Sequence, residues 1–268
     1  MAIEKLSRKV LDKVWGSPHT QPWYANQEGS KIGEIWFGAS DKIPLLVKLL
    51  FTSDNLSVQV HPRDEYAKKH HNSFGKTEMW YILRADADAK IAIGLKETIT
   101  PERLREASLS GEIMDLLEWV PAHAGDTFFT PAGTIHALGG GLVVCEVQQF
   151  SDVTYRLYDY GRPRELHLDD SIAVSDLFPY DASKTPVDLG GGKELLAECE
   201  YFRTERWAVK GALACAVPEK STLYIALSGS GHFAGQTFEA GDAFEAEPGT
   251  EAFSVDAEDA VFLVTREP

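Results

Sequence analysis

The chain has 268 residues and 44% hydrophobic content, enough to build one large domain or two small ones. Its formal net charge of -15 argues against general binding to nucleic acids or acidic membranes, so an anionic ligand would need a local basic pocket. There is no apolar run of the length of a signal peptide or a membrane span, and the 3 cysteines are scattered. We therefore expect a cytoplasmic protein with reduced cysteines.

The first part of the chain is predicted to contain short strands and a few helices. Apolar residues within Glu4–Val14 fit the period of a short amphipathic helix. Thr100-Pro101-Glu102 is a helix start signal, Gly111 is expected to split that insert into two helices that end near Leu117, and a further helix is expected from Asp169 to Leu177. The predicted strands are Ile43–Phe51, Leu56–Val60, Glu78–Leu83, Ala89–Leu95, Thr127–Thr130, Leu142–Phe150 and Val153–Tyr158.

A loop-like stretch rich in proline and glycine, residues 179–192, is predicted to link two domains, 1–178 and 193–268. Many short strands separated by turns favour an all-β protein with helical decorations, built from two jelly-roll barrels. The strands predicted after the linker are Phe202–Val209, Ala212–Ala216, Thr222–Leu227, Ala243–Ala246 and Val261–Thr265.

A weak internal repeat supports two related barrels. Gly125-Asp126 opens a strand that is followed by Pro131-x-Gly133-x-x-His136, and Gly241-Asp242 opens one that is followed by Pro248-Gly249-x-x-Ala252. Ala252 therefore occupies the position of His136, which predicts that the second barrel is a degenerate copy.

Three separate stretches supply candidate metal ligands. Gln59 lies in the predicted strand Leu56–Val60 and His61 directly follows it, Glu78 begins another strand, and His136 closes the Gly125–His136 motif. Two imidazoles, a carboxylate and an amide that converge from separate strands suit a borderline-soft divalent ion such as zinc.

These stretches resemble the two sequence motifs of the cupin superfamily, and most of all the type I mannose-6-phosphate isomerases in their short bacterial form. The resemblance is closest from Leu45 to Asp169, and Trp15-Gly16 and Gly33-Glu34-Ile35-Trp36 match the family's N-terminal pieces. The motifs that carry it are Leu56–Pro62, Gly75–Ile82, Pro131–Ala137, Glu146–Tyr160 and Arg164–Asp169.

The resemblance implies one zinc ion per chain, an enediol mechanism and a sugar-phosphate substrate, D-mannose 6-phosphate or D-fructose 6-phosphate, with neither a nucleic acid nor a membrane as partner. The residues that it implies are Gln59, His61, Glu78 and His136 for the metal, Lys76, Glu146 and Arg156 for catalysis, and Lys48, Ser57, Trp15, Glu34 and Arg162 for substrate binding.

The residue chemistry agrees with this outline but leaves alternatives open. A lysine beside a zinc ligand has its ammonium form disfavoured by the divalent charge, so Lys76 is a candidate proton carrier with a lowered pKa, and Glu146 is its rival. Arg156 is able to bind an enediolate or a phosphate, or to pair with Asp152 or Asp159. Lys48 in an apolar strand faces either a polar lumen or the barrel edge, and His167 is expected to orient the loop after the barrel.

One departure from the family bears on the substrate. The segment between Trp36 and Pro44 is shorter than the resemblance implies, which opens the wall of the predicted pocket. Two alternative functions follow: a metal-dependent isomerase of another, unphosphorylated sugar, and a sugar-binding cupin without catalysis. The native metal, the oligomeric state and the direction of the pathway are not predicted.

Overall fold

The computed structural model describes residues 3–38, 43–181 and 185–268. In these residues the chain is mostly β and forms three antiparallel sheets, which confirms the predicted fold class. The helices are α1 (Asp64–His71), α2 (Pro101–Ser110), α3 (Ile113–Leu116) and α4 (Leu168–Val174). The strands are β1 (Ile3–Lys5), β2 (Ser7–Ser17), β3 (Ile32–Gly38), β4 (Leu45–Phe51), β5 (Val58–Val60), β6 (Glu78–Ala85), β7 (Lys90–Leu95), β8 (Leu117–Pro121), β9 (Thr127–Thr130), β10 (His136–Leu138), β11 (Leu142–Gln149), β12 (Tyr155–Tyr158), β13 (Val187–Gly190), β14 (Lys193–Glu198), β15 (Arg203–Cys215), β16 (Thr222–Ser228), β17 (Ser230–Phe233), β18 (Gln236–Glu239), β19 (Ala243–Ala246) and β20 (Phe253–Arg266).

The first barrel consists of two sheets packed face to face. One has the strand order β12-β5-β10-β7-β8 and the other β2-β3-β4-β11-β6-β9. A shared core cluster joins Trp80 and Ile82 of one sheet to Ile91 and Leu138 of the other. The space between these sheets is where side chains from both can converge.

The six-stranded sheet is covered on both faces. Successive side chains of a strand point to opposite faces, so Val47 and Leu49 of β4 turn away from the first barrel. There they join a core cluster with Ile225 and Leu263 of the nine-stranded sheet. This explains why β4 reads as a nearly continuous apolar run and is buried along its whole length.

The helix predicted over Glu4–Val14 is wrong, because this stretch forms β1 and β2. Apolar residues spaced by four, such as Leu6, Val10 and Val14, fit a strand as well as a helix, since four is a multiple of both periods to within half a residue. Pairing of β2 with β3, and of β1 with β19, decides the outcome.

The second half of the chain also departs from expectation. Within the predicted linker, Val187–Gly190 is a strand, β13, that pairs with β14. Residues 182–184 of the linker lie outside the described residues, and so do residues 39–42 of the shortened segment after Trp36. The two strands predicted around Gly211 are a single strand, β15. Its ladder with β20 shifts register between Val209 and Gly211, and Gly211 takes a φ of 76° that suits glycine at such a bulge.

Residues from the first predicted domain pair with strands and side chains of the second. The division of the chain at 179–192 therefore stays an interpretation. β1 belongs to the N-terminal part of the sequence but pairs with β19 of the nine-stranded sheet. Lys5 and Arg8 form ion pairs with the buried carboxylate of Asp242, and the Trp23 indole N–H donates to the Leu227 carbonyl oxygen at 2.7 Å.

The internal repeat is visible in matching hydrogen bonds. Gly125 N donates to Ile82 O and Gly241 N to Ala226 O, each at 2.8 Å. In the first barrel Glu78 lies opposite Thr130, and in the second Thr222 lies opposite Ala246. Matching Ile82 with Ala226 therefore puts Thr222 in the place of Glu78. The second barrel thus lacks the carboxylate as well as the histidine that Ala252 replaces.

The helices after Thr100 form as predicted. The Thr100 hydroxyl accepts a hydrogen bond from Arg103 N at 3.2 Å, and Gly111, with a φ of 87°, ends α2. α4 covers most of the helix expected from Asp169 to Leu177.

No disulfide joins the 3 cysteines. Among the described residues, no helix combines the length and apolar character needed to cross a membrane.

Candidate metal centre and active-site cavity

Three predicted metal ligands meet between the sheets of the first barrel. Glu78 begins β6, His136 begins β10, and His61 directly follows β5. One ligand atom from each lies within 4.8 Å of the others. All three residues are buried, each only 1% exposed. Such a buried cluster of two imidazoles and a carboxylate is a suitable metal site.

The two imidazoles are oriented by main-chain carbonyl groups. His61 Nδ1 lies 3.1 Å from the Val153 carbonyl oxygen, and His136 Nδ1 lies 2.9 Å from that of Thr134. A carbonyl oxygen only accepts, so each Nδ1 carries the proton and each Nε2 presents a lone pair. Second partners of this kind usually hold metal-binding histidines.

The atoms that face the centre of the cluster lack ordinary partners. His136 Nε2 and both carboxylate oxygens of Glu78 are buried without a hydrogen bond of good geometry, although Lys76 Nζ lies 2.8 Å from Glu78 Oε1. Buried polar atoms are almost always satisfied. The donor set therefore fits a bound cation at this point.

The protonation states also suit a cation. Burial, with a further contribution from Lys76, lowers the pKa of His61 to about 3, and burial lowers the pKa of His136. Burial alone would raise the pKa of Glu78, but the neighbouring ammonium group of Lys76 holds it well below its usual range. Near neutral pH the cluster offers two neutral imidazoles and a carboxylate, the forms that bind metal.

Gln59, the predicted fourth ligand, lies next to this cluster. It sits on β5 directly opposite His136 of β10, and its side chain lines the adjacent cavity. Its role as a ligand stays a prediction.

A polar cavity of ≈ 270 Å³ opens beside the metal cluster. It collects most of the residues predicted for catalysis and substrate binding, while Arg162 is not among those that line it. The lining residues are Lys13, Trp15, Glu34, Lys48, Leu50, Leu56, Ser57, Gln59, Lys76, Glu146, Asp152, Thr154, Arg156 and Arg164.

Lys48 lies inside the cavity and is held by a polar network. Its Nζ donates to Gln148 Oε1 at 2.6 Å, pairs with Glu146 Oε1 at 3.3 Å and lies 4.7 Å from the centre of the Trp36 ring. Lys48 is only 4% exposed, so of the two predicted placements it faces the polar lumen.

Burial and neighbouring charges shift the pKa of both candidate proton carriers, Lys76 and Glu146. Burial by itself would lower the pKa of Lys76, but the carboxylates of Glu78 and then Glu146 outweigh burial, so the protein groups raise this pKa. The lowering of the pKa that a divalent cation is expected to cause is a separate effect. Burial, followed by Glu78, raises the pKa of Glu146 against the opposing effect of Lys48. The Trp80 indole N–H donates to Glu146 Oε2 at 3.0 Å.

Arg156 reaches into the cavity from β12. Its Nη1 donates to the Glu165 carbonyl oxygen at 2.8 Å, and its buried Nε has no hydrogen-bond partner. No ion pair is found between Arg156 and Asp152 or Asp159 among the described residues, so this alternative is not supported.

Arg164 lines the cavity, whereas Arg162, the residue predicted to bind substrate, is not among the lining residues. Arg162 forms ion pairs with Asp54 at 2.8 Å and with Asp159 at 3.2 Å, and it lies away from the cavity. Arg164 pairs with Asp159 at 2.5 Å and also lines the cavity.

The sequence reasoning missed several cavity residues. Lys13 was placed on a helix, although alternation with Lys9, Leu11 and Trp15 along a strand would have brought it to the same face as Trp15. Trp80 is only 1% exposed and does not line the cavity, but its indole N–H binds Glu146, which does. No sequence signal distinguished Arg164 from Arg162.

A second, larger cavity of ≈ 740 Å³ lies alongside. Asp152 lines both cavities, and none of His61, Glu78 and His136 is among the lining residues of either. Its walls include the exposed rings of Phe74 and Phe150. Lys76, whose Nζ lies 2.8 Å from Glu78 Oε1, and Glu146 line the smaller cavity, which is therefore the chemically equipped site.

Known proteins resemble this chain in sequence and in structure. Residues 5–97 match the family model of the type I phosphomannose isomerase catalytic domain. The chain is 40% identical over 223 residues to mannose-6-phosphate isomerase ManA of Bacillus subtilis, covering 76% of this chain and 70% of that protein. It is 38% identical over 236 residues to probable mannose-6-phosphate isomerase GmuF of the same organism, covering 84% of this chain and 70% of that protein.

The fold agrees with these sequence matches. The crystal structure of the mannose 6-phosphate isomerase from Bacillus subtilis superimposes with a TM-score of 0.88 at 25% identity, covering 99% of this chain and 100% of that chain. Together with the sequence identity to ManA, this shows that the chain belongs to the type I phosphomannose isomerase family.

Proposed function

We propose that this protein is a zinc-dependent aldose-ketose isomerase that interconverts D-mannose 6-phosphate and D-fructose 6-phosphate through an enediol. The observation that carries the proposal is the buried cluster of His61, Glu78 and His136 beside a cavity lined by Lys76 and Glu146. The 40% identity to a mannose-6-phosphate isomerase supports the choice of substrate.

The metal would be held by the buried cluster, with Gln59 as the fourth ligand. When bound there, zinc supplies Lewis acidity toward the carbonyl and hydroxyl oxygens of the sugar. Isomerisation moves a proton between adjacent carbons, so a proton carrier must lie beside those oxygens. The cavity residues have to supply it.

Lys76 and Glu146 are the candidate proton carriers. Lys76 Nζ lies 2.8 Å from Glu78 Oε1 and 3.1 Å from His61 Nε2, so its amine is next to the ligand atoms. Glu146 is buried between Lys48 and the Trp80 indole, which orient its carboxylate. A group that takes a proton from one carbon and returns it to the next must reach both positions, and both candidates line the cavity in which the sugar would bind.

The cationic wall of the cavity supports recognition of an anion. Arg156, Arg164 and Lys48 line it within a protein whose net charge is -15, which is the local basic pocket that the composition requires. Arg156 brings to this wall a guanidinium group, which is suited to bind a phosphate or an enediolate oxygen. Ser57, Trp15 and Glu34 complete the proposed substrate contacts from the same walls.

A coupled assay of the purified protein tests the function. We expect turnover of mannose 6-phosphate that a chelator abolishes and zinc restores. Absence of turnover in the zinc-loaded protein would refute the proposal. A substrate panel separates the rivals: faster turnover of free mannose would favour an isomerase of unphosphorylated sugars, and binding without turnover would favour a sugar-binding cupin.

A further inference from the structure

A single residue, His167, holds the main chain of Arg156. The Arg156 N–H donates to His167 Nδ1 at 3.1 Å, and the His167 N–H donates to the Arg156 carbonyl oxygen at 2.8 Å. Arg156 lies on β12, the edge strand of its sheet, with β5 on its other side. His167 thus supplies both hydrogen bonds that a further strand would otherwise make.

The same short segment also holds the guanidinium group. Arg156 Nη1 donates to the carbonyl oxygen of Glu165, two residues before His167. The segment is in turn tied to α4, because the His167 carbonyl oxygen accepts a hydrogen bond from Ser171 N at 2.8 Å. Hydrogen bonds therefore tie both the main chain and the side chain of Arg156 to the segment that leads into α4.

The contact to Arg156 N requires one tautomer of His167. A main-chain N–H can only donate, so Nδ1 must carry a lone pair and Nε2 must carry the proton. Asparagine Oδ1 offers an acceptor at nearly the same distance from the main chain as Nδ1. Glutamine places its oxygen one methylene further out, close to the position of Nε2.

We propose that His167 is a positioning residue for Arg156. By completing the free edge of β12, it sets how far the guanidinium reaches into the catalytic cavity. The proposal rests on the proposed isomerase function, because it takes Arg156 to contact the substrate. It assigns His167 no contact with the substrate.

The kinetic test compares three variants of the zinc-loaded enzyme, His167→Asn, His167→Gln and His167→Ala. Loss of the acceptor leaves Arg156 N unpaired, so we expect kcat/KM to fall about tenfold in the Gln and Ala variants and to stay within about threefold of the parent in the Asn variant. His123→Gln, at an exposed loop histidine, is the control for loss of an imidazole. Zinc content and melting temperature are measured on each variant.

Equal activity of the Asn and Gln variants, at equal melting temperature, would overturn the proposal. A second measurement does not depend on turnover: the ¹⁵N spectrum of imidazole-labelled protein at neutral pH should show His167 with the proton on Nε2. A proton on Nδ1 would overturn the proposal as well. If the parent enzyme had no turnover at all, the proposed function would fail, and this spectrum alone would decide whether His167 binds Arg156.

Discussion

Gln59 lies directly opposite His136 on β10 and directly opposite Arg156 on β12. Residues in register across neighbouring strands share a face of the sheet. The amide, the imidazole and the guanidinium thus form one row across three strands, with Gln59 in the middle. This row joins the metal cluster to the cationic wall of the cavity, while Glu78 completes the cluster from the facing sheet.

Removing the charge of Glu78 should remove the metal. In Glu78→Gln we expect zinc affinity to fall by more than roughly a hundredfold, because a carboxylate ligand becomes a neutral amide in a buried site. Metal analysis after dialysis against buffers of fixed free zinc measures this. Glu97→Gln, on the exposed surface, is the matched control and should bind zinc as the parent does. Full zinc occupancy in Glu78→Gln would contradict the assignment of the metal centre.

The proton carrier can be identified by comparing Lys76→Met with Glu146→Gln. Lys76 Nζ lies 2.8 Å from Glu78 Oε1 and 3.1 Å from His61 Nε2, so we expect the larger loss of kcat in Lys76→Met, roughly 10²- to 10⁴-fold, with zinc retained. Exchange of the substrate C2 hydrogen with D₂O should be lost in parallel. The opposite order of the two losses would assign proton transfer to Glu146.

Arg164 and Arg162 should differ in their effect on substrate binding. Arg164 lines the cavity, so Arg164→Met should raise KM for mannose 6-phosphate about tenfold through loss of a charge-assisted hydrogen bond. Arg162 does not line the cavity and pairs with Asp54 and Asp159, so Arg162→Met should change KM by less than about twofold. Steady-state kinetics on both variants measures the contrast. A larger KM effect at Arg162 would show that the ion pairs do not describe its role.

Glu205 should contribute stability that is lost in acid. Burial alone would raise the pKa of Glu205, but the Trp207 indole and Arg203, with help from Arg266, lower it below 4.5. A carboxyl group whose pKa is lower in the folded state stabilises the protein above its unfolded pKa, and this contribution disappears as pH falls through the folded pKa. Glu205→Gln should therefore cost about 1–2 kcal/mol at pH 7.

Urea unfolding at pH 7 and at pH 3 measures this difference. The cost of Glu205→Gln should be smaller at the lower pH, where the parent carboxyl is increasingly protonated. Glu219→Gln, on a turn of the second half, is the control and should show no such change. An equal cost at both pH values would mean that the charge of Glu205 does not stabilise the fold.

The sequence by itself determined the chemistry of the site and the class of the fold. His61, Glu78 and His136 lie within short motifs whose residue types are required for metal binding, so each is visible without coordinates. Strands such as Thr127–Thr130 and Ala243–Ala246 were predicted with their observed bounds, because alternation and flanking turn residues act locally. The repeat that relates the two barrels is local as well, since it depends on turns at Gly125 and Gly241.

Only the tertiary structure decided what depends on partners far away in the chain. The stretch Glu4–Val14 is a pair of strands because β3 and β19 offer edges to pair with, and no local pattern contains that information. Arg164 lines the cavity, whereas Arg162 pairs with Asp54, which is far off in sequence. Charge pairing and strand pairing are set by distance in space, which a linear pattern does not encode.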